Sequence, residues 1–449
     1  MKQVRLGCGA GFAGDRIDPA VDLATRGRLD YLVFECLAER TIALAQVERL
    51  ADPARGYDPL LEDRFNAVLG PAHAVGTRII TNMGAANPRA AARRVAGIAA
   101  ELALTGVRVA CVTGDDVTTL IRDRTLPFVD RDGTTADIAG RIVSANAYLG
   151  ANPIVDALAQ DATVVITGRV GDPALFLAPL VHEFAWNPDD WRHLGRGVLV
   201  GHLMECAGQV TGGYFADPGF KDVDGLDELG FPLCIVDADG SFEITKLEGT
   251  GGLVSLATCK EQLLYEVHDP GHYIQPDVVA DFSSVTLNEI GENRVRISGG
   301  GGMRKTGKLK VSVGYRDGFI GEGQISYAGT GALARASLAR DIVLRRLKRT
   351  GAVFDDLRAD LLGVDALHGS AARPGNAEPY EVRLRIAGRS PSREAARMIG
   401  LEVEALYTNG PAGGGGVFKT SKENISIASV LIDEDLVTPE VEILAEPAR

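Results

Sequence analysis

The chain has 449 residues and a mass of 47.5 kDa, more than one hydrophobic core usually organises, which predicts two domains. With 45% apolar and 24% charged residues it is neither largely disordered nor fibrous. A net charge of −13, a pI near 5.1 and the lack of any long run of lysine or arginine exclude a basic nucleic-acid surface. No uninterrupted apolar stretch reaches the roughly 18 residues of a membrane span, and MKQVRLGCGAG lacks the apolar segment of a signal peptide. A soluble, cytoplasmic protein with neither nucleic acid nor membrane as partner is expected. Its 54 glycines are about 12% of the chain, against an average near 7%.

In chain order, a short strand at 4–6 breaks into GCGAGFAG, and Asp18 with Pro19 opens a helix through Ala24. DYLVFE (30–35) suits a strand buried on both faces. A helical stretch over 38–50 follows, then a strand at 78–82, a turn GAANP, a helix over 89–105 and a strand at 107–113. Apolar runs at 163–167 and 198–200 predict two more strands. Strands separated by helices pair in parallel with right-handed crossovers, so residues 1–235 read as an α/β domain with an open parallel, Rossmann-like sheet. From 236 to 449 strand follows strand, in FEITKL, VVADF, VTLNEI, RVRISG, KLKVSVGY and FIGEGQISY, with one helix over 332–350. That part reads as a largely antiparallel α+β domain, with a sub-boundary in the Gly/Pro/Asn-rich segment 368–379 and a closing α+β unit from EVRLRIAG to NISIASVLI.

Gly9, Gly11 and Gly14 match G-x-G-x-x-G after a strand, and Glu35 closes the next strand. A dinucleotide site, however, needs its helix to begin within the glycines, and here the helix waits until Pro19. Asp15 and Arg16 in this loop are therefore expected to reach a ligand that the glycines let approach. Three later strand ends repeat the composition: Asn82 and Asn87 in TNMGAANP, Asp115 and Asp116 in VTGDD, Arg169 and Asp172 in ITGRVGDP. In an open parallel sheet these ends converge on one crevice. In GHLMECAGQ, a helix would place His202, Glu205 and Cys206 on one face. Glycine loops at 247–252, 298–308 and 410–416, the second carrying Arg304, lack P-loop spacing. The six cysteines form no CxxC pair and predict neither a zinc ribbon nor a disulfide framework.

Taken in order, GCGAGFAGDR, DYLVFECLAERT, TNMGAANP, VTGDD, ITGRVGDPA and GHLMECAGQVTGGYFADPG resemble the acyclic terpene utilisation AtuA family. The resemblance runs from residue 5 to about 341 and continues through TNGPAGGGG into the C-terminal strands. It implies a cytoplasmic bacterial protein in the catabolism of citronellol and geraniol through branched acyl-CoA intermediates, and it brings no established catalytic residue set. Some members continue into an additional C-terminal domain, so a small separate partner chain is left open here.

The residues themselves point to a lyase or hydratase that moves a proton next to a carbonyl of a small carboxylic acid or its acyl thioester, and the resemblance implies a branched acyl-CoA as that thioester. His202 and Glu205 are assigned to proton transfer, and Asp115 and Asp116 to orienting donors or holding a divalent cation. Gly9, Gly11, Gly14, Asp15, Arg16, Glu35, Asn82, Asn87, Arg169, Asp172 and Arg304 are assigned to substrate binding, with Arg16 and Arg169 for anions. CoA enters as part of a substrate, and a homo-oligomer is expected. A nucleotide-dependent oxidoreductase and a non-catalytic subunit needing a partner remain open.

Overall fold

The apolar runs of the first half become the parallel core of a ten-stranded sheet. In the computed structural model, which describes residues 2–373, 375 and 378–444, strands Gln3–Ala10, Tyr31–Phe34, Arg78–Thr81, Val164–Thr167 and Val109–Thr113 lie in that order, all parallel. Val33, Ile80, Val112, Val165 and Ile166 are completely buried, as strands covered on both faces require. Helices Asp18–Arg26, Leu61–Val75 and Pro88–Glu101 pack together, as do Asn152–Ala159, Ala174–Phe184 and Trp191–Met204.

The antiparallel strands expected to begin a second domain instead extend this sheet. Pro232–Asp237 pairs antiparallel with Gln3–Ala10, and Phe242–Lys246, Arg294–Ser298 and Thr286–Gly291 follow outward. At the opposite edge Glu440–Ile443 pairs antiparallel with Val109–Thr113. The compact units are accordingly 1–314 with 427–449, and 315–426, rather than 1–235 and 236–449. In the smaller unit, Asp356–Leu362 and Glu381–Ser390 pair antiparallel, and Glu381–Ser390 pairs with Phe319 to Ala328 of strand Lys308–Ala328. Val382, Leu384 and Ile386 meet helices Ala332–Arg349 and Arg393–Glu404 through Ala336, Val343, Ile399 and Val403. The segment 368–379 falls partly outside the described residues.

Two local readings change. Residues 198–200 lie in helix Trp191–Met204, not in a strand; a short apolar run does not distinguish a buried helix from a strand. Gly195 lets that helix sit against strand Gly301–Met303, since a Cβ there would lie 1.9 Å from the Gly301 carbonyl oxygen. The first strand runs on to Ala10, so Gly9 lies inside it rather than in a loop. A Cβ at Gly9 would fall 2.5 Å from the Phe34 ring, so this glycine serves packing between neighbouring strands. Gly9→Ala is therefore expected to lower stability by about 1–3 kcal/mol through overpacking, read as a shifted urea midpoint at unchanged slope.

Candidate active site

A cavity of about 630 Å³ opens in the larger unit at the carboxyl ends of three parallel strands. The loop after Gln3–Ala10 contributes Gly11, Phe12, Asp15 and Arg16; the chain after Tyr31–Phe34 contributes Glu35, Leu37, Ala38 and Glu39; the chain after Val164–Thr167 contributes Arg169 and Asp172. The end of helix Trp191–Met204 brings Glu205 and Cys206, and Tyr214, Leu229, Phe231, Tyr265 and Glu266 complete much of the wall. Gly11 must be glycine, because a Cβ there would lie 2.5 Å from the backbone carbonyl carbon of Cys206.

Arg169 organises the floor. Its side chain is 1% exposed, stacks over the Tyr148 ring with Cζ 4.0 Å from the centroid, and donates to the Leu37 carbonyl and to Asp172 Oδ1. Burial opposes its charge, but Asp172, Tyr148, Glu35 and Glu39 hold it protonated, with its pKa raised. Burial also raises Asp172, to about 7, with Arg169 pulling the other way and Glu205 and Glu39 adding to the rise. Glu35 is raised in the same manner, by burial first and by Asp172 second; its Oε1 accepts from Leu37 N and Asn82 Nδ2, both at 2.9 Å. Glu39 behaves oppositely. Despite burial, the Tyr148 hydroxyl at 2.5 Å and Lys310 Nζ at 3.0 Å hold it down to about 2. Among the carboxyl groups on the cavity wall, Glu39 is thus held as a carboxylate while burial raises both Glu35 and Asp172.

His202 lies behind this wall, 1% exposed and stacked on Phe282. Its Nε2 faces the Leu263 carbonyl at 3.3 Å, which can only accept, so Nε2 carries hydrogen. Its Nδ1 is 3.2 Å from Glu205 Oε1, a contact that needs one more proton on either partner. Glu205 Oε2 is buried at the cavity and has no hydrogen-bond partner among the described residues.

Of the residues singled out from sequence, Gly11, Asp15, Arg16, Glu35, Arg169, Asp172 and Glu205 share the cavity, with Asn82 and His202 directly behind it. The single crevice divides, however. Asn87, Asp115 and Asp116 line a separate cavity of about 280 Å³ with Arg49 and Arg89. Asn87 caps helix Pro88–Glu101 and ties down Pro53 and Arg55. Asp115 accepts from Asn146 Nδ2 at 2.9 Å and Arg169 N at 3.0 Å, and Asp116 Oδ1 from Thr118. Among the described residues no group of three or more His, Cys, Asp or Glu could hold a metal ion. Gly9 and Gly14 do not line the cavity, and Arg304 is exposed beside strand Gly301–Met303. The loops 247–252 and 298–308 do not reach it either. Glu39, Tyr148 and Lys310 were not anticipated; for Glu39 the signal was available, in the first turn of a helix following a strand end.

The glycine loop has no free cradle for a pyrophosphate. Asp15 accepts from Gly11 N and Arg16 N, each at 2.9 Å, so its carboxylate takes the donors a phosphate would use.

The family model for the acyclic terpene utilisation family protein AtuA matches residues 4–443. The chain belongs to this family. Acyclic terpene utilisation is a catabolic role, and the cavity belongs to the part of the chain that the match covers. No curated protein and no solved structure matches. Among the described residues no helix is long and apolar enough to cross a membrane.

Asp172 and Asp115, the latter pushed up to about 6 by burial, bind protons more tightly folded than unfolded. Their favourable contribution is complete below the ordinary carboxylate range and is lost as pH rises through about 6 to 7. The thermal midpoint should fall across that window, and less steeply in Asp172→Asn; an equally steep fall in the variant would contradict the assignment.

Proposed function

We propose that the cavity is the active site of a lyase or hydratase that transfers a proton next to the carbonyl of a branched acyl substrate. The observation that carries this reading is the Glu35 and Asp172 pair, both raised by burial, Asp172 to about 7, beside Arg169 at the strand carboxyl ends. Arg169 is already committed to Leu37 and Asp172, so it orients Asp172 and offsets developing charge instead of clamping a free carboxylate. With Asp15, Glu39, Glu205 and Glu266 also on the wall, a neutral thioester suits the floor better than a free acid. Arg16, 40% exposed and paired with Asp18, can exchange that partner for an anionic part of the substrate at the mouth.

In the hydration direction, water gives a proton to Glu205 Oε2 while its oxygen bonds the β-carbon of an α,β-unsaturated acyl group. The Glu35 and Asp172 pair delivers a proton to the α-carbon, so the product carries one water more; Glu205 then gives its proton to solvent water and the pair takes one back from it, which restores both for the next turnover. In this step the proton shared between the two lies on His202 Nδ1, which donates to Glu205 Oε1, keeps it in place and leaves it a carboxylate able to accept at Oε2. Elimination is the reverse.

Senecioyl-CoA, a branched α,β-unsaturated thioester, incubated in heavy water should gain one deuterium at the α-carbon. Glu35→Gln and Asp172→Asn should each lower the rate by about 10²-fold, and the wild-type rate should decline above about pH 7 as the pair loses its proton. Absence of exchange in the wild type would reject this chemistry for such substrates.

A further inference from the structure

Arg64, on helix Leu61–Val75, is 0% exposed, yet it does not line the cavity. Its Nη2 donates to the carbonyls of Ala13 and Asp15, both at 3.0 Å, and Nη1 to Cys36 Sγ at 3.3 Å. Its counter-charge is the buried Asp58, whose Oδ1 lies 3.6 Å from Nη1 and accepts from Leu60 N at 2.8 Å. Asp58 Oδ2 and Arg64 Nε have no hydrogen-bond partner among the described residues. As a device for stability this is a poor arrangement, because both ions lose their water and neither is fully hydrogen-bonded. What the guanidinium does accomplish is to grip the main chain on both sides of Gly14, the one residue between Ala13 and Asp15 and the one with the widest backbone freedom. The gripped segment carries Asp15 and Arg16 into the cavity, with Asp15 folded back on Gly11 N and Arg16 N at 2.9 Å.

We infer that Arg64 is a positioning residue that fixes Asp15 and Arg16 in the cavity by holding the Ala13 and Asp15 carbonyls from behind. This rests on the reading of the cavity as the active site. The charge acts as well as the fork: Asp15 is raised by burial, and Arg64 and Arg16 act against that rise while the nearby Cys8 thiol is itself raised. A planar guanidinium serves two carbonyls from one nitrogen in a fixed direction, which a lysine ammonium on a flexible stem does not reproduce.

The test uses the full chain in two variants. Asp58→Leu/Arg64→Met removes both buried charges together, avoiding an unpaired ion, and Arg64→Lys keeps the charge without the fork. Amide hydrogen exchange over 11–17 should quicken by about tenfold or more in the double variant, with exchange in strand Val164–Thr167 unchanged. With senecioyl-CoA, KM should rise by about tenfold while kcat falls less, since the loop binds and the carboxyl pair reacts; Arg64→Lys should fall between. A folded double variant with wild-type exchange over 11–17 and wild-type KM would overturn the proposal. Should the double variant not fold, an Arg64→Lys protein identical to wild type in both readouts would overturn it. Glu35→Gln separates the two readings: if it leaves turnover intact the cavity is not the active site, while loop exchange still reports on the grip.

Discussion

A guanidinium withdrawn from water needs counter-charge, and Arg169 draws much of the larger unit's carboxyl end toward itself. Asp172 meets it directly, Glu35 and Glu39 lie within electrostatic reach, and Tyr148 covers its face. Each neighbour then takes its character from that arrangement. Glu39 is fixed as an anion because Tyr148 and Lys310 reach it as well. Glu35 and Asp172, sharing one arginine between them in a buried setting, cannot both ionise easily. Carboxyl groups of ordinary composition thus shift in opposite directions, Glu39 down and Glu35 and Asp172 up, from position alone.

The same arrangement holds the strand ends together. Arg169 joins the chain after Val164–Thr167 to the chain after Tyr31–Phe34 through Leu37, and its backbone N–H reaches Asp115 after Val109–Thr113. Carboxylates kept near one another at a solvent-accessible cavity are a burden on stability at neutral pH, and such a burden is characteristic of sites kept for chemistry. The buried Arg64 and Asp58 pair belongs to the same pattern, on the reverse side of the glycine loop.

The α/β class was legible because parallel strands buried on both faces must be apolar runs, as in DYLVF and TVVIT. That the antiparallel strands join the same sheet was not, since alternation reports a wet face and says nothing of which neighbour a strand chooses. Strand-end position also located Asp15, Glu35, Arg169 and Asp172. It failed to separate them from Asn87 and Asp116, whose side chains serve a helix cap and a turn, because Asx residues suit both tasks. Tyr148 and Lys310 were illegible for a different reason: they act on Glu39 from 109 and 271 residues away, and no local spacing records such a meeting. Arg64 stands between the helical stretch read at 38–50 and the strand read at 78–82, in a segment to which the sequence pattern assigns neither an element nor a role.

The smaller unit is spliced into the larger between residues 314 and 427, and the larger sheet receives its last edge strand, Glu440–Ile443, only after that interruption. During synthesis the Val109–Thr113 edge therefore emerges long before its partner. An unpaired apolar edge invites association with other chains. Early closure is precluded by chain order, and making the inserted unit lengthens the time for which the nascent sheet stays open on that side.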